Sequence, residues 1–292
     1  MVDTVPTRLF FSRLPGGDLE FSCLVPLAED SQAVSWHLES VAGGAHSLSV
    51  SRPFHEDELR RGRAVLAAVL PGTWPESVLT VDLGDGASHY GVGRFAQTQR
   101  FAFPLATHTL VVGGHRIGEP HRVAFGIPSQ QFGWDLAGLR SDGLALLNGE
   151  LGSPPRSAEF ACFGQEVLSP AAGIVVAAID GIDDADTFEV PVVPPEGDLL
   201  WAIGNHVVIE HEEGVHSCLA HLKRGSPAVS AGESVSTGAV IGAVGSSGNV
   251  SGPHLHFHLM DGPDPLSASP LPVELSVEGE TFAPVSGQIV SP

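Results

Sequence analysis

Short runs in which apolar and polar residues alternate, each closed by a turn rich in glycine, recur along nearly the whole chain. Leu19-Glu20-Phe21-Ser22-Cys23-Leu24, Ser47-Leu48-Ser49-Val50 and Val78-Leu79-Thr80-Val81-Asp82-Leu83, the last followed by Gly84-Asp85-Gly86, set the rhythm. A period of two sends successive side chains to opposite faces of a strand, so each run buries one face and solvates the other. Repetition at about ten-residue spacing is the pattern of β-sandwiches and barrels. The fold class expected is therefore all-β. One helix is expected, over Glu56–Leu70, although Gly62 interrupts it and only Pro53 marks its start.

At about 150 residues per domain, 292 residues suggest two domains. Residues 1–104 read as a small β-sandwich without a chemical cluster, and its His37, His46, His55 and His89 read as surface or hydrogen-bonded core groups. Residues 105–292 read as an antiparallel β domain. Its clearest strands are His206–Glu210, Ala239–Val244 and Leu255–Leu259, separated by turns at Gly214, Gly232, Gly238 and Gly245. The acidic run Asp180–Glu189 reads as a solvated loop.

Fourteen basic residues against 34 acidic ones leave a net charge of −20. A field of that sign opposes nucleic-acid phosphates and anionic membrane surfaces. The longest apolar stretch, Val167–Ile179, contains Pro170 and falls short of the ~20 residues of a membrane span. No apolar run follows basic residues near Met1, so a cytoplasmic location is the expectation from sequence alone. Cys23, Cys162 and Cys218 form no C-x-x-C pair and read as buried, reduced thiols.

Half of the 14 histidines fall between His206 and His258, and three alternate in Pro253-His254-Leu255-His256-Phe257-His258. On a strand these three imidazoles share one face, with Leu255 and Phe257 on the other. That is how a sheet offers nitrogen ligands to a metal, and a catalytic zinc needs three protein ligands with a fourth position open. His211-Glu212-Glu213-Gly214-Val215-His216 has one residue too many for H-E-x-x-H and surrounds a glycine turn instead of lying on a helix.

Gly248-Asn249-Val250-Ser251-Gly252-Pro253-His254-Leu255-His256-Phe257 resembles the closing signature of the lysostaphin-like, or LytM-like, zinc metallopeptidases. The similarity extends through Gly204-Asn205-His206-Val207-Val208-Ile209-Glu210-His211, Leu219-Ala220-His221-Leu222 and Val235-Ser236-Thr237-Gly238-Ala239-Val240-Ile241-Gly242. The resemblance implies that His256 is a zinc ligand, and that His221 and His254 are unligated histidines handling the water and the developing oxyanion. The family's first motif, H-x-x-x-D, corresponds to Gln131-Phe132-Gly133-Trp134-Asp135, so Asp135 matches as a ligand and Gln131 replaces the histidine. An amide oxygen is a poor zinc ligand beside imidazole. His121, ten positions upstream, and His258 are the other sources of the third ligand, and the choice stays open at this level.

The resemblance further implies the cofactor Zn2+ and hydrolysis of peptide bonds, with bacterial cell-wall peptidoglycan as the family's usual substrate. An alternative is a metal-poor, LytM-like binding or regulatory module, for which Gln131 speaks. Against it, a domain that only binds has no physical need for Asp135, His221, His254 and His256 together. A biotin or lipoate carrier needs a lysine at a hairpin tip, and the one lysine, Lys223, lies elsewhere. No phosphate loop, dinucleotide fingerprint or nucleophile elbow is present.

Overall fold

Almost every ordered element in the computed structural model is a strand. The structure describes residues 97–114, 121, 127–148, 150, 152–187 and 199–292, together with seven strands among the first 96 residues. The chain divides into two compact units. The first is Met1–Ala96 with Arg116–Gly118 and Arg122–Gly126, and the second is Gln97–His115, Glu119–His121 and Ile127–Pro292.

The first unit contains β1 (Phe10–Arg13), β2 (Leu19–Pro26), β3 (Ala33–Ser40), β4 (Ser47–Pro53), β5 (Arg63–Leu70), β6 (Ser77–Asp82) and β7 (Ala87–Val92). They form two antiparallel sheets, ordered β1-β2-β5 and β4-β3-β6-β7. Along β3 the period of two is visible in burial: Val34, Trp36 and Leu38 are buried, whereas Ser35 is exposed and bonds Ser51 across the strand pair at 2.8 Å. His37, on the wet face, bonds Ser49 at 2.6 Å.

The helix expected over Glu56–Leu70 is not formed where the structure describes it, because Arg63–Leu70 is β5 and pairs with β2 along its whole length. Ala64-Val65-Leu66-Ala67-Ala68-Val69-Leu70 is a continuous apolar run. Such a run carries neither period, so length and an available partner strand decide its conformation. Residues 54–62, with His55, and also His46 lie outside the described residues, as does the side chain of His89.

The second unit opens with β8 (Phe101–Ala102), β9 (Thr109–Gly113), β10 (Trp134–Gly138), β11 (Glu166–Leu168) and β12 (Gly173–Ile179). A five-residue helix, α1 (Leu199–Ile203), precedes β13 (Asn205–Glu212), β14 (Val215–Leu222), β15 (Ser234–Val235) and β16 (Val240–Ala243). Then follow β17 (Leu255–Met260), β18 (Pro270–Leu271), β19 (Leu275–Val277), β20 (Glu280–Phe282) and β21 (Ile289–Val290). Nine of these strands make one antiparallel sheet, ordered β15-β12-β13-β14-β17-β10-β9-β21, with β18 beside β17. The expectation of an antiparallel domain needs one amendment, since β8 and β19 pair in parallel. Among the described residues, no helix is long and apolar enough to cross a membrane.

β17 lies in the middle of this sheet and is buried throughout. Leu255, Phe257 and Leu259 point to one face, where Phe257 stacks on its cross-strand partner Trp134 with ring centroids 6.2 Å apart. On the opposite face Cys218 and Ala220 are the cross-strand partners of His258 and His256, and both belong to a core cluster with Val208 and Met260. Cys162 and Cys218 are free and buried, and burial pushes both thiols up to about 12. They are inert, packed groups at neutral pH.

Part of the acidic run is bound as well as solvated. The Asp184 carboxylate accepts from the backbone N–H groups of Ser246 at 2.7 Å and Arg224 at 3.0 Å, which anchors the loop leading to Ser247.

Candidate active site

Strand register alone brings the first two groups together. Asp135 on β10 lies directly opposite His256 on β17, and their side chains meet on the same face with Asp135 Oδ1 3.0 Å from His256 Nδ1. β9 contributes Gly113 opposite Asp135, where a methyl group would sit 2.6 Å from Oδ2. The chain leaves β9 at Gly114, and the Gly114 carbonyl accepts a hydrogen bond from Nδ1 of His121 at 3.1 Å. This contact aims the other ring nitrogen, Nε2, at Asp135 Oδ1 from 3.3 Å. One potential ligand atom from each of His121, Asp135 and His256 lies within 4.8 Å of the other two. Gln131 is fully buried on the 3-10 turn Pro128–Phe132 that feeds into β10.

His254 and His221 complete the cluster. His254 Nδ1 donates to the Gly252 carbonyl at 2.8 Å, leaving Nε2 3.4 Å from Asp135 Oδ1. His221 Nδ1 donates to the Ser247 carbonyl at 2.9 Å, and its ring centroid lies 4.8 Å from that of His254 and 5.8 Å from that of His256. A bulge delivers it: β13 advances from Asn205 to Val207 while β14 advances from Leu222 to Leu219, one residue more. Bulges re-aim side chains beside functional sites. Within this one His221 takes φ 59°, a left-handed conformation that costs a non-glycine residue of order 1–3 kcal/mol. The bonds from Gly245 N to His221 O, at 3.0 Å, and from its ring to Ser247 hold it there.

Ser247 is fixed in turn. Its hydroxyl accepts from Asn205 N at 2.9 Å and donates to Leu222 O at 2.7 Å. Gly204, at φ +72°, lets the chain pass so close that a methyl group there would lie 2.3 Å from Ser247 O. Sequence reasoning placed Gly204 and Asn205 in a motif but assigned them no task. Ser247 was not singled out, because a backbone carbonyl acting as the partner leaves no side-chain signal.

The electrostatics follow from proton bookkeeping. A carbonyl can only accept, so His121, His254 and His221 carry their hydrogen on Nδ1, and each neutral ring presents a bare Nε2. Two of those bare nitrogens face Asp135 Oδ1, lone pair against lone pair. The arrangement needs positive charge between the groups, supplied by protons or by a metal cation. Burial disfavours charge on every member. At His121 and His254 the Asp135 carboxylate outweighs burial and raises the pKa. Asp135 itself, despite burial, is held well below the usual carboxylate range by His254 and His121. Burial lowers His256, and burial with the neighbouring His254 and His256 holds His221 well below the ordinary imidazole value.

His206, His211 and His216 have other partners. His206 Nδ1 donates to Gly204 O at 2.8 Å, His211 contacts Ala172 O at 3.0 Å and Ser217 Oγ at 2.8 Å, and His216 lies 4.0 Å from Glu210.

Comparison with known proteins agrees with this constellation. Residues 156–268, which include His221, His254 and His256, match the family model described as Peptidase family M23. The matched span lies within the second unit. Asp135 and His121 lie upstream of the matched span. The chain is similar to a DD-carboxypeptidase/endopeptidase of Neisseria meningitidis, with 38% identity over 89 residues, or 30% of this chain and 16% of that protein. It is also similar to a peptidoglycan DD-endopeptidase of Vibrio cholerae, with 31% identity over 97 residues, or 33% of this chain and 19% of that protein. The matches thus span under a fifth of either relative's length. Among solved structures, the catalytic domain of a variant of the M23 protein EnpA from Enterococcus faecalis aligns at 19% identity. That alignment covers 56% of this chain and 89% of that one, with a TM-score of 0.34.

Proposed function

We propose that the second unit is a zinc metalloendopeptidase that hydrolyses peptide bonds in bacterial cell-wall peptidoglycan. The observation that carries this reading is the set of three potential ligand atoms from His121, Asp135 and His256, with two further buried imidazoles beside it. The donor set suits zinc: two imidazole nitrogens and one carboxylate oxygen are a common catalytic ligand set. The outward bond of His121 to Gly114 O leaves its inward nitrogen bare, as a ligand must be. His121 thereby supplies the third ligand that Gln131 does not, which favours the enzyme over a binding module. The peptidoglycan substrate rests on the activities for which those relatives are named.

When bound, zinc acidifies water and polarises the scissile carbonyl. The chain's own groups divide the remaining work by the way their rings are held. His221, kept neutral with a bare Nε2, accepts the proton of the attacking water. His254, oriented by the bond from Nδ1 to the Gly252 carbonyl, turns Nε2 into the site, where a proton taken up on that nitrogen is donated as a hydrogen bond to the developing oxyanion.

The test is zinc analysis of the purified full chain by inductively coupled plasma mass spectrometry, combined with release of new amino termini from peptidoglycan sacculi. One zinc per chain and release of amines are expected, both lost in His256→Ala. A chain that holds zinc yet releases nothing from sacculi or cross-bridge peptides would overturn the peptidase reading.

A further inference from the structure

The zinc reading leaves one buried imidazole in contact with the site without a task. His258 stands two residues beyond His256 on the same face of β17, with ring centroids 5.1 Å apart. Its Nδ1 lies 3.0 Å from Nε2 of His256. No water, carbonyl or hydroxyl is needed to explain that approach: the two ring nitrogens are a hydrogen-bonded pair and share one proton between them.

We propose that His258 is a positioning residue that accepts the Nε2 hydrogen of His256 and so presents Nδ1 of His256 to the metal. This rests on the reading of His256 as a ligand. A neutral imidazole has one hydrogen and one lone pair. The nitrogen of His256 that faces Asp135, 3.0 Å from Oδ1, is Nδ1, so a metal held beside Asp135 needs that nitrogen bare. The hydrogen then sits on Nε2, whose hydrogen-bond partner among the described residues is Nδ1 of His258. His258 must accept, so its own hydrogen resides on Nε2, which has no hydrogen-bond partner among the described residues. A buried donor left without an acceptor is unfavourable. The metal-free pair therefore prefers the reverse arrangement, in which His258 donates to His256 and His256 donates from Nδ1 to the Asp135 carboxylate. The number of protons is the same in both arrangements. His256 is pinned on both sides in either one, and the metal selects which nitrogen is bare.

The neighbours of His258 exclude a simpler role as a ligand. It is not among the residues whose donor atoms converge, and its Nδ1 is occupied by His256. Its cross-strand partner is Cys218, whose thiol is protonated and packed in the apolar cluster.

The experiment measures zinc affinity of the full chain by chelator competition for the parent, His258→Leu and His258→Asn, together with nitrogen-15 NMR of the parent's imidazoles. Loss of the partner of a metal-bound histidine weakens affinity by roughly 10–100-fold, which is the expectation for His258→Leu. Asparagine places a carbonyl oxygen near the position of Nδ1, so His258→Asn recovers most of that loss. In the zinc-loaded parent a coupling across the hydrogen bond joins Nε2 of His256 to Nδ1 of His258, with the hydrogen on His256. Removing zinc moves the hydrogen of His256 to Nδ1. The NMR measurement needs no variant and stands even if His258→Leu fails to fold. Equal affinity in the parent and in a folded His258→Leu, or zinc-loaded His256 without that coupling, would overturn the proposal while leaving the zinc site intact. A parent that binds no zinc overturns the reading on which the proposal rests.

Discussion

Substituting Gly133 by alanine tests how tightly the fold holds His256, the proposed ligand. Gly133 precedes β10, and a β-carbon built on it would lie 2.9 Å from Cε1 and 3.3 Å from Nε2 of His256, and 3.0 Å from the Gln130 carbonyl. Its backbone, at φ −78° and ψ 163°, is extended and open to any residue, so Gly133→Ala introduces no backbone strain. Carbon contacts settle at about 3.5–4.0 Å, so the His256 ring must retreat by roughly half an ångström. The ring has nowhere to go cheaply, because Asp135 holds it at 3.0 Å on one side and His258 at 3.0 Å on the other. Overpacking of this kind costs about 1–3 kcal/mol. The loss of unfolded-state freedom on going from glycine to alanine returns about 0.4–1 kcal/mol where the conformation is compatible. A net destabilisation of the metal-free protein between zero and about 2.5 kcal/mol follows, read by urea unfolding. The effect on zinc is larger in proportion, since ligand distances must hold to within about 0.2 Å. Affinity should fall at least tenfold by chelator competition. If Gly133→Ala bound zinc as tightly as the parent, His256 would not be a ligand held in this place.

Three further outcomes are expected. His121→Ala should leave less than stoichiometric zinc after dialysis, whereas Gln131→Ala should retain the metal if His121 is the third ligand. His221→Ala should keep one zinc per chain while hydrolysis falls by about 10²–10⁴-fold, the usual contribution of a general base. Away from the metal, burial lowers the pKa of His206 below its ordinary 6.5. A depressed folded pKa means that the unfolded chain binds the extra proton first, so the stability from this group is complete above pH 6.5 and is lost as pH falls toward the folded pKa. Urea unfolding of the metal-free protein between pH 8 and pH 5 should show that decline, and His206→Asn should reduce its slope. An unchanged slope would show that His206 titrates alike in both states.

What the sequence disclosed about this site depended on whether strand geometry or loop geometry placed each residue. Alternation alone put His254, His256 and His258 on one face; β17 presents His256 and His258 so because a strand has no other way to orient alternate side chains, and His254 is a bridge residue just before it. Asp135 was legible through its motif, and antiparallel register then set it opposite His256. His221 was legible as a residue but not as a conformation. The extra residue in β14 and the positive φ depend on Ser247 and Gly204, which are distant in sequence and act through backbone atoms. His121 could be named only as one of several sources of a third ligand, because the nine residues between it and Gln131 place no constraint on where a loop nitrogen ends up. The contact that decides its direction, from Nδ1 to the carbonyl of Gly114, joins two loop positions. The misread helix has the same origin in reverse: residues 64–70 carry no period, and only the neighbouring β2 made them a strand. In the proposed reading the imidazole that Gln131 does not supply comes from His121, whose ligand atom lies within 4.8 Å of those of Asp135 and His256 once β9 and β10 are paired.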